Sequence, residues 1–335
     1  MNIKLAATLL STASVLATAA QAQNDPVEWT LAYLSVKGTI YEEVVQAIPD
    51  RIAEATDGAI VITPTSSLVA GDRLLESVRD GLVEMSMPLT GYYTGSQPLF
   101  TVPSLPGYSE NYEDMAALMA SDYGEQVRAV FEEDYGATQV MENAFCPQTL
   151  FSTKPITTLE EWNGRKLRVN NRGTGLIGGQ LGAVAVSLSA AEVLPALERG
   201  VIDGVITDTC WAYGAGFGSV ITHAADWDLG KVIPSPVLVN TEAWEALQED
   251  VRNKAAAEFE KIEADFAERW KERTAELPGL WTDAGVDYTE VRDEENARFN
   301  AEELQAPVLE AWREDMQRAG LDADAVLDTA KAAIE

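Results

Sequence analysis

Histidine is almost missing from this 335-residue chain, where His223 is the only one, and cysteine occurs only at Cys146 and Cys210. One imidazole and two thiols are too few for a metal site built on those ligands, or for a Cys/His nucleophile pair. Positive charge is scarce too, with 24 Lys and Arg against 54 Asp and Glu and a net charge of −30. Such a surface repels phosphate backbones and anionic headgroups, which excludes a nucleic-acid partner and docking on lipid through a basic patch. Long apolar runs are absent beyond the amino terminus, where no stretch approaches 18 uninterrupted apolar residues, so no stable membrane insertion is expected. The sequence also lacks the G-x-S-x-G and H-E-x-x-H signatures of hydrolases.

What is present begins with an address. Residues 1–23 combine Lys4, a small-residue apolar stretch from Leu5 to Ala20, and Ala20-Gln21-Ala22 as an A-x-A cleavage site. They read as a secretory signal peptide. The mature chain is then expected outside the cytoplasm, where Cys146 and Cys210 can pair or stay as two separate buried thiols. Roughly 310 mature residues suit two lobes better than one.

Val27 to Leu34 and Ala59 to Thr63 are short, β-branched runs. Between them Ile40, Val44, Val45, Ile48 and Ile52 recur at helical spacing, and Asp57-Gly58 offers a left-handed stop. Strand, helix and strand in sequence predict a parallel α/β sheet. The segments LLESVRDGLVEMSM (74–87) and VLPALERGVIDGVI (193–206) align without a gap. Each reads as a helix, a glycine (Gly81 or Gly200), an acid (Glu84 or Asp203) and a strand, which suggests two lobes of similar build. Ligands bind beyond the carboxyl ends of such strands, here at Pro88 to Tyr93, including Thr90, and at Thr207 to Tyr213. Further on, Val251, Ala255, Phe259, Ile262, Phe266 and Trp270 predict a long helix from about Thr241 to Leu277, roughly 50 Å in length. A break near Gln248 to Asp250 is the alternative. A last helical stretch, Glu302 to Glu335, packs through Val308, Leu309, Trp312 and Met316.

Four of the scarce basic residues, Arg165, Lys166, Arg168 and Arg172, fall in GRKLRVNNRGTG (164–175). As a strand, 165–170 turns Leu167 and Val169 to one face and Lys166, Arg168 and Asn170 to the other. Arg168 lies deepest, so it needs either an internal carboxylate or an anionic ligand. The stretch runs on into Gly173-Thr174-Gly175-Leu176-Ile177-Gly178, a match to the G-x-G-x-x-G dinucleotide fingerprint. The charged strand before it argues against an oxidoreductase, as does the lack of an acid ending a second strand some 20 residues on, where Glu192 reads as part of a helix cap with Ser189. No cofactor is expected. The better use of these residues is a sharp turn at Gly173 and a helix beginning near Thr174 that aims its N–H groups at the cleft.

Several stretches resemble the DctP-type solute-binding proteins of tripartite ATP-independent periplasmic (TRAP) transporters: SSLVAGDRLLESVRDG (66–81), WNGRKLRV (162–169) and LGAVAVSLSAAEVLPALERGVIDG (181–204). The resemblance implies a two-lobe periplasmic binding protein fold, each lobe a mixed sheet flanked by helices, with a long helix spanning both. The expected division is 24–147 plus about 233–273 for one lobe, and 148–232 plus about 274–335 for the other. It further implies a monomeric periplasmic receptor, not an enzyme, that passes an organic acid to membrane permease subunits. A sensory receptor without transport shares the same binding residues. In the family the arginine of the KLRV strand, here Arg168, holds the substrate carboxylate. Gln148 stands where many members have a second arginine, and Thr207, followed by Asp208, where many have asparagine. One cationic anchor favours a monocarboxylate. Tyr92, Tyr93, Trp211 and Tyr213 are placed to stack on it or to pack at the lobe interface. A Cys146–Cys210 bridge would stiffen the cleft floor between Gln148 and Thr207.

Overall fold

The computed structural model describes residues 25–334, so the expected signal peptide lies outside the described residues. In chain order the strands are β1 (Val27–Tyr33), β2 (Ile60–Thr65), β3 (Met85–Met87), β4 (Ala137–Met141), β5 (Gln148–Ser152), β6 (Lys166–Arg168), β7 (Val184–Val186), β8 (Gly204–Asp208), β9 (His223–Asp226), β10 (Val237–Asn240) and β11 (Asp287–Glu290). They form two sheets, ordered β2-β1-β3-β10-β4 and β11-β9-β5-β8-β6-β7, each mixed and each the centre of one lobe.

The first βαβ unit forms as its pattern predicts. β1 and β2 pair in parallel, and the helix Ile40–Ala55 between them buries Ile40, Val44, Val45, Ile48 and Ile52. Thr39 starts that helix by accepting the Glu42 N–H at 3.2 Å, and Asp57 and Gly58, at φ 54° and 79°, end it.

The internal repeat is structural. β1, β2 and β3 are joined by helices and ordered 2-1-3, and β6, β7 and β8 are joined by helices and ordered 7-6-8. The aligned acids have the same role in each lobe. Glu84 stands one residue before β3 and accepts the Thr30 N–H of β1 at 2.8 Å. Asp203 stands one residue before β8 and accepts the Lys166 N–H of β6, also at 2.8 Å. Each carboxylate satisfies a donor that the parallel ladder leaves unpaired at its mouth.

In both lobes the strand beside the triad is antiparallel: β10 runs against β3, and β5 against β8. The chain therefore crosses between lobes after β4 and returns after β9. The two crossing segments are bonded to each other: Phe145 N–H donates to Ile233 O at 3.1 Å, Ser235 N–H to Asn143 O at 2.7 Å, and Gln148 N–H to Lys231 O at 2.9 Å. This short ribbon is the natural hinge.

The long helix starts later than the apolar spacing predicts. A short helix, Thr241–Glu245, is separate, and the long one runs from Glu249 to Asp283, about 52 Å. Its Phe259, Ile262 and Phe266 are buried at the first lobe. Its far end reaches the second, where Trp281 packs on Phe151 of β5 with ring centres 4.7 Å apart. The carboxyl-terminal segment departs from the expected division. The helix Ala323–Ile334 returns to the first lobe and packs on the helices Tyr112–Ala120 and Asp122–Tyr135. The preceding helix is tied there by Trp312 Nε1, which donates to Pro98 O at 2.8 Å. An amphipathic helix announces that it has an apolar face, not which lobe will cover it.

Candidate functional site

The strand ends of the two triads face each other. Leu34 and Val36 follow β1, Leu89 and Tyr92 follow β3, Arg168 and Asn170 close β6, and Thr207 and Asp208 close β8. With Gln148 of β5 and Trp211 they surround a small cavity between the lobes, and Phe145 and Ile233 of the hinge ribbon also line it. Both lobes thus contribute the point where their strand order reverses, the position at which open α/β sheets bind ligands.

Of the four clustered basic residues, only Arg168 lines this cavity. Arg172 pairs with Asp315, Arg165 Nε donates to Glu161 O at 3.1 Å, and Lys166 is exposed. Arg168 is 3% exposed. Its Nε donates to Leu188 O at 3.2 Å, and the Tyr92 hydroxyl lies beside the guanidinium. Among the described residues no carboxylate is ion-paired with it. Burial pulls its pKa below the ordinary arginine value, and Tyr92 offsets this only in part.

Gln148 and Asp208 are direct cross-strand partners in the β5–β8 ladder, so their side chains share a face. Both are buried, and both hold polar atoms without a partner: Gln148 Oε1 and Nε2, and Asp208 Oδ2. The other Asp208 oxygen accepts the Trp211 N–H at 2.5 Å, and the N–H groups of Cys146 and Cys210 also reach the carboxylate. Burial outweighs these donors and pushes the Asp208 pKa up to about 7.

Cys146 and Cys210 are bridged, with S–S at 2.00 Å and Cα atoms 5.8 Å apart. The bridge fastens the hinge ribbon to the helix Thr209–Gly214 that follows β8. Cys146, Cys210 and Asp208 have the mutual spacing of a metal triad, but sulfurs bonded to each other offer no thiolate.

Other expectations divide. Tyr92, Asn170, Thr207 and Trp211 line the cavity with Arg168, Gln148 and Asp208; Thr90, Tyr93 and Tyr213 do not. Thr90 Oγ1 donates to Pro234 O at 2.9 Å and braces the hinge. The Tyr93 hydroxyl accepts the Leu75 N–H at 3.1 Å inside the first lobe, because a 3-10 turn sends Tyr92 and Tyr93 to opposite sides. Tyr213 stacks edge-on against Trp281 and under Arg273.

The glycine fingerprint is a packing feature. Gly173, Gly175 and Gly178 lie within the helix Arg172–Gln180, whereas a dinucleotide loop needs them in the turn before it. A Cβ on Gly173 would sit 2.9 Å from Ser104 O. The helix N-terminus is also occupied: Arg172 N–H donates to Thr94 Oγ1 at 3.3 Å and Thr174 N–H to Asn171 Oδ1 at 2.9 Å. It does not serve the cleft as the sequence reading expected. The sequence reading missed the apolar lining, Leu34, Val36, Leu89, Phe145, Ala190 and Ile233. For Leu34, Val36 and Leu89 the available signal was position, just beyond a strand end.

Three carboxyls, Asp208 and Glu142 buried and Glu110 partly so, carry a common consequence. Burial raises Asp208 and Glu110 to about 7 and Glu142 to about 8. Since these values exceed the ordinary values of the unfolded chain, the folded state binds more protons between roughly pH 4 and 8, and stability falls as pH rises through that window. The melting temperature is expected to climb as pH is lowered from 8 to about 5.5. A steady fall over the same range would contradict these protonation states.

A small cavity between two symmetric α/β lobes, joined by a bonded hinge ribbon and containing one unpaired cation, defines a two-lobe solute receptor. Residues 32–316 match the family model of bacterial extracellular solute-binding protein, family 7, DctP, and the chain belongs to that family. It is 26% identical over 339 residues to the C4-dicarboxylate-binding periplasmic protein DctP of Rhodobacter capsulatus, covering 98% of each chain. Among solved structures it resembles DctP7 of Bordetella pertussis, an extracytoplasmic solute receptor binding pyroglutamic acid (TM-score 0.81, 21% identity, 91% of this chain and 99% of that one). It also resembles a TRAP periplasmic solute binding protein of Roseobacter denitrificans with bound L-galactonate (TM-score 0.77, 21% identity, 90% and 98%).

Proposed function

We propose that this protein is the periplasmic receptor of a TRAP transporter, acting as a monomer that captures a small monocarboxylate and hands it to membrane permease subunits. The observation that supports this most is Arg168, a buried guanidinium with no acidic partner among the described residues, facing an inter-lobe cavity. A planar fork of donors in a desolvated site suits a carboxylate held by two hydrogen bonds. With Gln148 in place of a second cation, a dicarboxylate would leave one charge unmatched and buried.

Capture would proceed by closure about the hinge ribbon. The lobes already meet across the cleft mouth, where a Cβ on Gly214 would lie 2.3 Å from Lys37 O. No helix among the described residues is long and apolar enough to cross a membrane. The constellation around the cavity binds and orients.

The test is a thermal-shift screen of organic acids on the mature protein. A binder present at one hundred times its Kd adds about 2.7 kcal/mol of stability. Monocarboxylates are expected to shift the melting point and C4-dicarboxylates to leave it unmoved. A shift with nicotinamide dinucleotides and none with any acid would overturn the proposal.

A further inference from the structure

We infer that Asp208 fixes the charge class of the ligand: it repels any second anionic group, so the site takes acids that carry one negative charge and excludes those that carry two. This deepens the proposal above and rests on Arg168 holding the ligand carboxylate.

The formal charges of the cavity lining both come from the second lobe. Arg168 closes β6 and Asp208 closes β8, whereas the first lobe contributes Leu34, Val36, Leu89 and Tyr92. Arg168 and Asp208 are 3% and 4% exposed, and among the described residues neither is ion-paired. What offsets the burial of Asp208 is a set of backbone N–H groups, those of Trp211, Cys146 and Cys210. Its Oδ2 has no partner in the protein.

A ligand carboxylate at Arg168 uses the only cation of the lining. A second anionic group then lies in a small hollow whose other walls are apolar or neutral, with Asp208 as the one further charge. Like charges about 7 Å apart, at an effective dielectric constant of about 20, cost roughly 50-fold in affinity. Gln148, the cross-strand partner of Asp208, brings no charge to oppose this. The missing second cation withholds an attraction and Asp208 adds a repulsion, and specific sites use both. A neutral group on the ligand, a hydroxyl included, can meet Oδ2 without this cost.

The exclusion depends on pH. The other titratable groups of the lining are Arg168 and Tyr92. The side chains next to Asp208 from β5, the hinge ribbon and the helix Thr209–Gly214 are Gln148, the bridged Cys146 and Cys210, and Trp211, none of which is charged. Burial raises Asp208 to about 7, so it is mostly ionised at pH 8 and mostly neutral at pH 6. Dianion binding is therefore expected to strengthen about tenfold as pH falls between those values.

The experiment is isothermal titration of the mature protein and of Asp208→Asn at pH 8 with two acids of equal chain length, succinate and its monomethyl ester. Asparagine keeps an oxygen for the Trp211 N–H and is itself a good helix cap, so the fold is retained. The wild type is expected to favour the monoester at least about 30-fold, and Asp208→Asn by less than about threefold. A pH series with sulfoacetate, whose sulfonate stays ionised, is expected to show the tenfold gain from pH 8 to pH 6 in the wild type and none in the variant. If Asp208→Asn still favours the monoester at least about 30-fold, or if the wild-type series is flat, while monoester binding is lost in Arg168→Met, the charge inference is overturned and the carboxylate reading stands. No binding of the monoester to the wild type at millimolar concentration also overturns it. Monoester binding that survives in Arg168→Met overturns the carboxylate reading itself.

Discussion

Replacing Arg168 by methionine is expected to abolish acid binding, weakening it at least about 100-fold, while leaving the unliganded protein as stable as before or more so. The two effects have one cause. The guanidinium is buried, and its partners among the described residues are the neutral Leu188 O and Tyr92 hydroxyl, so its desolvation is offset only in part until a carboxylate arrives. Methionine fills similar volume without a charge, and relief of the unpaired cation contributes about 1–3 kcal/mol. Calorimetric titration and thermal unfolding of the same preparation measure both. A variant destabilised by more than about 1 kcal/mol would mean that Arg168 serves the fold, and one that keeps its affinity would remove it from the site.

The second large effect concerns the disulfide. Cys146 and Cys210 are 64 residues apart, and closing a loop of that size restricts the unfolded chain by about 4 kcal/mol. The double variant Cys146→Ser/Cys210→Ser is expected to melt about 6 °C lower. It is also expected to bind its ligand more weakly, because both cysteines contribute N–H groups to the Asp208 carboxylate and the bridge holds them in place. Reduction of the folded wild-type protein gives the same comparison where the variant does not fold. A melting point unchanged within about 2 °C in reductant would show that the packed ribbon and helix hold without the bond.

Much of the first lobe was legible because its cues are local. The five periodic apolar residues and Asp57-Gly58 set a helix face and stop within 20 positions. The repeat was legible because helix, glycine, acid and strand recur in register, and the shared role of Glu84 and Asp203 explains why an acid recurs there. Arg168 stood out as a charge between apolar neighbours. What stayed hidden depends on distant partners. Whether Tyr92 or Tyr93 faces the cavity is set by a 3-10 turn, and the seat of the helix Ala323–Ile334 by apolar surface 200 residues earlier. Gly173 matched a nucleotide signature, yet its neighbour is the backbone of Ser104. A short pattern does not reveal what approaches it.

The most direct measurement is a crystal structure of the mature protein with the strongest acid from the thermal-shift screen. The account predicts the ligand carboxylate in two hydrogen bonds to the Arg168 guanidinium, with the rest of the molecule against Gln148, Asp208 and Trp211 between closed lobes. An acid bound elsewhere, or one whose carboxylate faces away from Arg168, would contradict it.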